Sequence, residues 1–189
     1  MAFKSVGKKK IFNTGGHRPK PNKLQQLQFL EKWNDITPPA IMKQAKQTGN
    51  VIYGCRAING IVGKSLSRPT HDYDIYSHKP KKHAISIEKH IDKKTGLDMA
   101  YVEEIPFTTT DDKKGKLYRV VTRPEGDEEA DYNLMPKGLD ITRVKGINYV
   151  SLKASEKKFP AMLKEPKRVF NTRSDMWRVK HFRRMGGKG

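Results

Sequence analysis

The sequence predicts an α/β (α+β) domain, a small mixed β-sheet with flanking helices, extended by basic segments at both ends. Three observations predict it. A chain of 189 residues suits one such domain with extensions better than two full domains. Short β-prone runs occupy the middle of the chain, with stretches of helical periodicity around them. Hydrophobic residues make up 35%, low for a compact globule but above a disordered chain, so an ordered core with polar ends is expected.

The elements follow in order. Residues 1–23 carry Lys4, Lys8, Lys9, Lys10, Arg18, Lys20 and Lys23 and no acid. Such a segment buries little apolar surface and reads as a flexible arm, mobile until it meets an anion. A localisation signal and a solubilising tail are its other readings. A helix follows Asn22, with Leu24, Leu27, Leu30 and Trp33 at helical spacing, beside Phe29, as cladding for the core. Thr37-Pro38-Pro39 ends that helix, and a second covers 40–47. Val51-Ile52-Tyr53 is a strand running into Gly54 and a short helix over 57–62. A strand over 73–77 is followed by an amphipathic helix over 82–93 with Ile85, Ile87 and Ile91 inward. Strands over 99–105 and 117–123 are joined by the polar turn 111–115. The acidic run 125–131 reads as a loop, and 139–143 and 147–152 as strands. Helices over 155–164 and Val169–Arg184 and a frayed tail, 185–189, complete the chain. The expected organisation is therefore an arm (1–23), a domain (24–184) and a tail.

Lys and Arg number 39 against 20 acids, a net charge of +19. That balance bears on partners rather than fold, and points to a polyanion, most commonly nucleic acid. The expected contacts are Lys8, Lys9, Lys10, Arg18 and Lys20 in the arm and Arg173, Arg178, Lys180, Arg183 and Arg184 in the last helix. The aromatics among the latter, Phe170, Trp177 and Phe182, are expected to pack on the core. Cys55 is the lone cysteine, so no internal disulfide forms and no Cys/His cluster has zinc spacing. No apolar h-region follows the basic start, and no apolar run approaches the roughly 18 residues of a membrane span. A cytoplasmic setting, or packaging in a virion for a viral source, is the expectation, with no membrane partner.

The most informative stretch is Arg68-Pro69-Thr70-His71-Asp72-Tyr73-Asp74-Ile75-Tyr76. Side chains alternate along a strand, so Asp72 and Asp74 share one face while Tyr73 and Ile75 point into the core. Two adjacent carboxylates repel, and one pKa rises unless a cation neutralises them. Mg²⁺, which is held by one or two carboxylates together with substrate phosphates, suits the pair. Upstream, Val51-Ile52-Tyr53-Gly54-Cys55-Arg56 is strand, glycine turn and helix start, leaving backbone N–H groups for a phosphate. Downstream, Gly138-Leu139-Asp140-Ile141-Thr142 embeds another acid in a strand. If that strand pairs beside the first, Asp140 completes a three-carboxylate cage.

These residues resemble the DNA polymerase β-like nucleotidyltransferase superfamily, in particular its minimal and abortive-infection toxin-like branches. Gly54, Ala57, Ile58 and Asn59 match its first element; Arg68, Thr70, Asp72 and Asp74 match its second; Asp140 matches the later apolar-Asp-apolar strand. Residues 170–178 are similar to its Arg/Lys-Asp helix. Cys55 stands where the family has Gly or Ser. The resemblance spans about residues 49–184. It implies a mixed sheet with helices on one side and two Mg²⁺ (or Mn²⁺) ions on Asp72, Asp74 and Asp140. It also implies a nucleoside triphosphate donor and nucleotidyl transfer to a nucleic-acid or protein hydroxyl. Gly54 and the N–H groups after it, with Cys55, would line the phosphates. Arg56 is a phosphate ligand or a surface arginine, and Lys64 and Arg68 are placed to meet phosphates because their loop precedes the acidic strand. The alternative is a fold kept for binding, its chemistry lost, as a basic subunit of a virion or nucleoprotein assembly. Gly60-Ile61-Val62-Gly63-Lys64-Ser65 ends like a P-loop but has Ile58 where the first glycine is required. The six histidines form no triad-like pattern.

Overall fold

The structure is a computed structural model that describes residues 4–5, 8–108, 114–123 and 127–189. Its centre is one mixed sheet. In chain order the strands are β1 (Lys4–Ser5), β2 (Lys10–Phe12), β3 (Val51–Tyr53), β4 (Tyr73–Ser77), β5 (Ala100–Thr108), β6 (Lys114–Thr122), β7 (Asp127–Leu134), β8 (Ile141–Val144) and β9 (Ile147–Val150). The spatial order is β1-β5-β6-β7-β4-β3-β9-β8, with β2 also on β5. β4 runs parallel to β7 and antiparallel to β3, and β3 runs parallel to β9. β4 therefore lies inside the sheet, where its alternation buries Tyr73, Ile75 and Ser77 and leaves Asp74 and Tyr76 half-buried on the opposite face.

The helices are α1 (Lys23–Thr48), α2 (Gly54–Val62), α3 (Pro80–Thr95), α4 (Leu152–Glu156), α5 (Phe159–Met162) and α6 (Val169–Arg184). Two apolar clusters hold them. Tyr73, Ile75, Val102, Val120, Ala130 and Tyr132 of the sheet pack with Phe29 and Ile41 of α1 and with Ile87 and Ile91 of α3. Ile52 and Tyr149 pack with Ile58 and Ile61 of α2, Leu152 of α4 and Val179 of α6.

Helix α1 begins as expected at Asn22, whose side chain and Gln25 form a capping box. It does not end at Pro38-Pro39; both prolines lie inside one helix of 26 residues. The N–H groups they lack would have bonded the carbonyls of Asn34 and Asp35, which are exposed and can turn to water. Packing of Phe29, Ile41 and Ala45 on either side carries the helix through the break. Leu24, Leu27 and Leu30 do not clad the core but face solvent, and Phe29 is the buried anchor of that half.

Three other expectations are corrected. The acidic run is β-structure from Asp127, with Ala130 and Tyr132 turned into the core; residues 124–126 lie outside the described residues, as do 111–113 of the polar turn. The helix expected over 155–164 is two short ones, α4 and α5. Within the described residues the N-terminal segment lies against the sheet. β1 and β2 pair with β5, Thr14 N–H donates to the buried Glu88, and the Asp98 N–H donates to the Pro19 carbonyl. Val144 and Ile147 are joined across Lys145 (φ 50°) and Gly146 (φ 82°), the left-handed pair that a tight hairpin needs. Among the described residues, no helix is long and apolar enough to cross a membrane.

Candidate active site

Asp72 immediately precedes β4 and Asp74 is its second residue, Asp72 exposed and Asp74 half-buried. The carboxylate beside them is not Asp140. In the parallel β4–β7 ladder Asp74 is the register partner of Asp131, and such partners project side by side on one face, one strand spacing apart. Asp140 precedes β8, an edge strand separated from β4 by β3 and β9. There its carboxylate accepts from the Ser151 hydroxyl at 2.8 Å and its carbonyl accepts from the Ser151 N–H, anchoring the cap of α4. The expected neighbour of Asp74 was displaced because β7 fills that place in the sheet. Ala130-Asp131-Tyr132 carries the same apolar-acid-apolar pattern, but it sits at the end of an acidic run whose charge hid the strand.

Burial, then the charges of Asp72 and Asp131, raise the Asp74 pKa to about 7, opposed by Arg168 and Lys158. Asp131 is held at its other side by Arg119, whose Nε and Nη2 each donate to it at 2.8 Å. Asp72 accepts from the Thr70 hydroxyl at 3.0 Å. All three are oxygen donors of the kind Mg²⁺ takes, and the raised Asp74 pKa is the cost that a divalent cation would remove. With Asp131 turned to Arg119 and Asp72 to Thr70, no three acidic, histidine or cysteine side chains converge in metal-holding geometry among the described residues. The donor set suits the ion, and its use requires these two side chains to change partners.

The glycine turn is placed as its sequence implies. Gly54 has φ 68°, and a Cβ there would lie 2.3 Å from an oxygen of Asp74. Only glycine lets the carboxylate lie against the N-terminus of α2. That helix has no side-chain cap, so its first N–H groups have no side-chain acceptor. Arg56, left between two readings, secures the loop before β4. It donates to the carbonyls of Thr70, His71 and Asp72 and lies 4.0 Å over the Tyr73 ring. Arg68 pairs with Asp175 of α6 at 2.9 and 3.4 Å. Asn59 ties the same loop by donating to the Arg68 carbonyl and accepting its N–H. Lys64 is exposed on the 3-10 turn after α2. Burial pushes the Cys55 thiol up, and it packs against Asn59 and Arg178.

Arg178 is a correction to the expected basic surface. It is buried and bonded to Asn59, the Leu66 carbonyl and Asp175. It sits on the inner face of α6, three residues from Asp175, and closes the Arg68–Asp175 link instead of facing a polyanion. Phe170 and Trp177, expected to pack inward, are 84% and 59% exposed.

Sequence reasoning missed Asp131, Arg119, Lys158 and Arg168. Lys158 lies over the stacked rings of Tyr53 and Tyr76, whose centroids are 4.1 Å apart, and Asn133 donates to the Tyr53 hydroxyl at 2.7 Å. Nothing in the spacing of these residues relates them, because β7 and the α4–α6 region meet β4 only through the sheet order.

No protein-family model matches the chain, and no curated protein does. Among solved structures, the fold is similar to that of the Megavirus polyadenylate synthase, with a TM-score of 0.53 at 13% identity. The match covers 87% of this chain but 38% of that one, so this chain spans well under half of that protein. The likeness is one of fold alone.

Proposed function

We propose that the protein is a metal-dependent nucleotidyltransferase, moving a nucleotidyl group from a nucleoside triphosphate to an acceptor hydroxyl. The observation that carries this reading is the side-by-side placement of Asp74 and Asp131 over the glycine turn, with Asp72 two residues away. Asp72, Asp74 and Asp131 would hold Mg²⁺ or Mn²⁺, which when bound polarises the donor phosphates and lowers the pKa of an attacking hydroxyl. The uncapped first turn of α2 offers N–H donors to the phosphates. Lys158 and Arg168, which already act on Asp74, supply positive charge on the same side. Arg68, Asp175, Asn59 and Arg178 fix α6 to the loop before β4, so the carboxylates and cations keep their relative positions.

The test is label transfer from each radioactive nucleoside triphosphate, with Mg²⁺ or Mn²⁺, with and without RNA. Asp74→Asn and Asp131→Asn should each lower transfer by at least about 100-fold, an effect on the scale of losing one electrostatic catalytic group. Asp140→Asn should keep wild-type transfer, because Asp140 is at the far edge of the sheet. Loss of activity in Asp140→Asn, with Asp131→Asn unaffected, would refute the assignment. The Arg119 clamp on Asp131 favours one alternative, a binding protein whose chemistry is lost. In that case no nucleotide transfers label while nucleic acid still binds.

A further inference from the structure

We propose that the solvent face of α6 is a binding track for a single-stranded polynucleotide, with Trp177 as its stacking platform. Phe170, Arg173, Trp177, Lys180 and Arg184 are all exposed. Their intervals of three and four place them along one side of the helix. Aromatic and cationic side chains thus alternate along a stripe of about 20 Å, from 1.5 Å per residue. Trp177 is not a loose surface ring. It stacks on His181 with centroids 5.0 Å apart and planes 13° from parallel, which fixes the plane of the indole. Beside it Phe159, Pro160, Leu163 and Met176 line an apolar trough of about 750 Å³.

The charges select the occupant. Arg183 is paired with Glu156 and Arg168 with Glu165, but Arg173, Lys180 and Arg184 have no acidic partner among the described residues. In a chain of net charge +19, unpaired cations interleaved with exposed rings suit an anion that also carries flat apolar faces. A single-stranded polynucleotide has both at every unit, whereas a duplex keeps its base faces internally stacked. A protein partner would need an apolar face studded with acids at the same intervals, and a second copy of this chain would oppose cation to cation. Arg168, at the start of α6, acts on Asp74, so one end of the track lies toward the carboxylates. The direction of the strand rests on the transferase reading; the binding does not.

The experiment uses the full chain and a fluorescein-labelled 15-nucleotide RNA without self-complementarity, the same sequence as DNA, and that DNA annealed to its complement. Affinities are read by anisotropy. Trp177→Leu should weaken binding of single strands by about 5- to 100-fold, the effect of one base–aromatic stack, and leave the duplex unchanged. Trp177→Phe should recover most of the loss. Arg173→Gln combined with Lys180→Gln and Arg184→Gln should lower the slope of log affinity against log salt by about 2. Phe170→Ala, at the most exposed position, gives a second reading of stacking, and melting temperatures check that each variant folds. Single-strand affinity unchanged in both Trp177→Leu and Phe170→Ala would overturn the proposal. An equal loss for single strand and duplex would do the same. So would sedimentation showing wild-type self-association that Trp177→Leu abolishes while single-strand affinity stays constant.

Discussion

Gly54 and Asp74 show how one residue constrains another across the site. Gly54→Ala adds a left-handed non-glycine residue, costing about 1–2 kcal/mol, and drives a methyl group into the Asp74 carboxylate. Denaturant unfolding should show that loss or more, and label transfer should disappear with it. Asp92 supports a different expectation. It is fully buried, its Oδ1 accepts the N–H groups of Met99 and Ala100, and its Oδ2 has no hydrogen-bond partner. Burial chiefly, with Glu88 and Asp98 adding to it, raises its pKa to about 6. The folded state then binds this proton more tightly than the unfolded state, whose carboxyl titrates near 4. Its contribution to stability is full below about pH 4 and is lost as the pH rises to about 6. In Asp92→Asn the amide oxygen can keep both backbone bonds without the charge. The stability difference between variant and wild type should therefore move in the variant's favour between pH 4 and 6. Denaturation midpoints at both pH values check the sign. At this scale Asp72, Asp74 and Gly54 were legible because alternation and turn chemistry are local. Asp131 was not, because its partner in the sheet is set by pairing between distant segments.

Among the elements, α1 departs furthest from its sequence. Propensity places a break at Pro38-Pro39, and the helix continues because α1 is packed on both sides of the prolines. Pro39 is exposed, so Pro39→Ala should stabilise the protein by about 1–3 kcal/mol. The helical cost of proline is relieved, less a smaller gain in unfolded-chain entropy. Thermal or denaturant unfolding measures it, and a destabilised variant would show that the prolines are seated by contacts rather than tolerated. Strands β3, β4, β5 and β9 were legible from short apolar alternation. β7 was not, since its acids, the buried Glu129 and half-buried Asp131 among them, are satisfied by Arg119, Thr122 and Trp33 from neighbouring elements. Charge density there reports cross-strand pairing, where the sequence suggested a solvated loop.

For the whole molecule, the net charge of +19 leads to the expectation of a polyanionic partner but does not say how the basic ends attach. The N-terminal segment is both a source of cations and a lining for buried acids. Asn13 donates to Asp98, Thr14 donates to Glu88, and Arg18 lies 3.9 Å from Asp92. Deleting residues 1–20 should therefore lower stability by at least about 2 kcal/mol, the order of leaving one buried charged group short of partners. It should also flatten the salt dependence of nucleic-acid binding. Unfolding and salt-titrated binding of the same truncated protein separate the two effects. A truncated protein as stable as the full chain would mean the segment's contacts are dispensable.

The pairing of β2 with β5 also sets a tempo. Lys9 meets Glu103 across 94 positions of chain, and Asn148 reaches the Gly49 carbonyl across 99. Neither the β2–β5 edge nor the β3–β9 pairing can be completed by neighbours in sequence, so most of the entropy of closing long loops is spent before the register is rewarded. Molecules wired in this way form in milliseconds to seconds rather than microseconds. During that interval the border of β5, later sealed by β2, is open to any other chain that can add a strand.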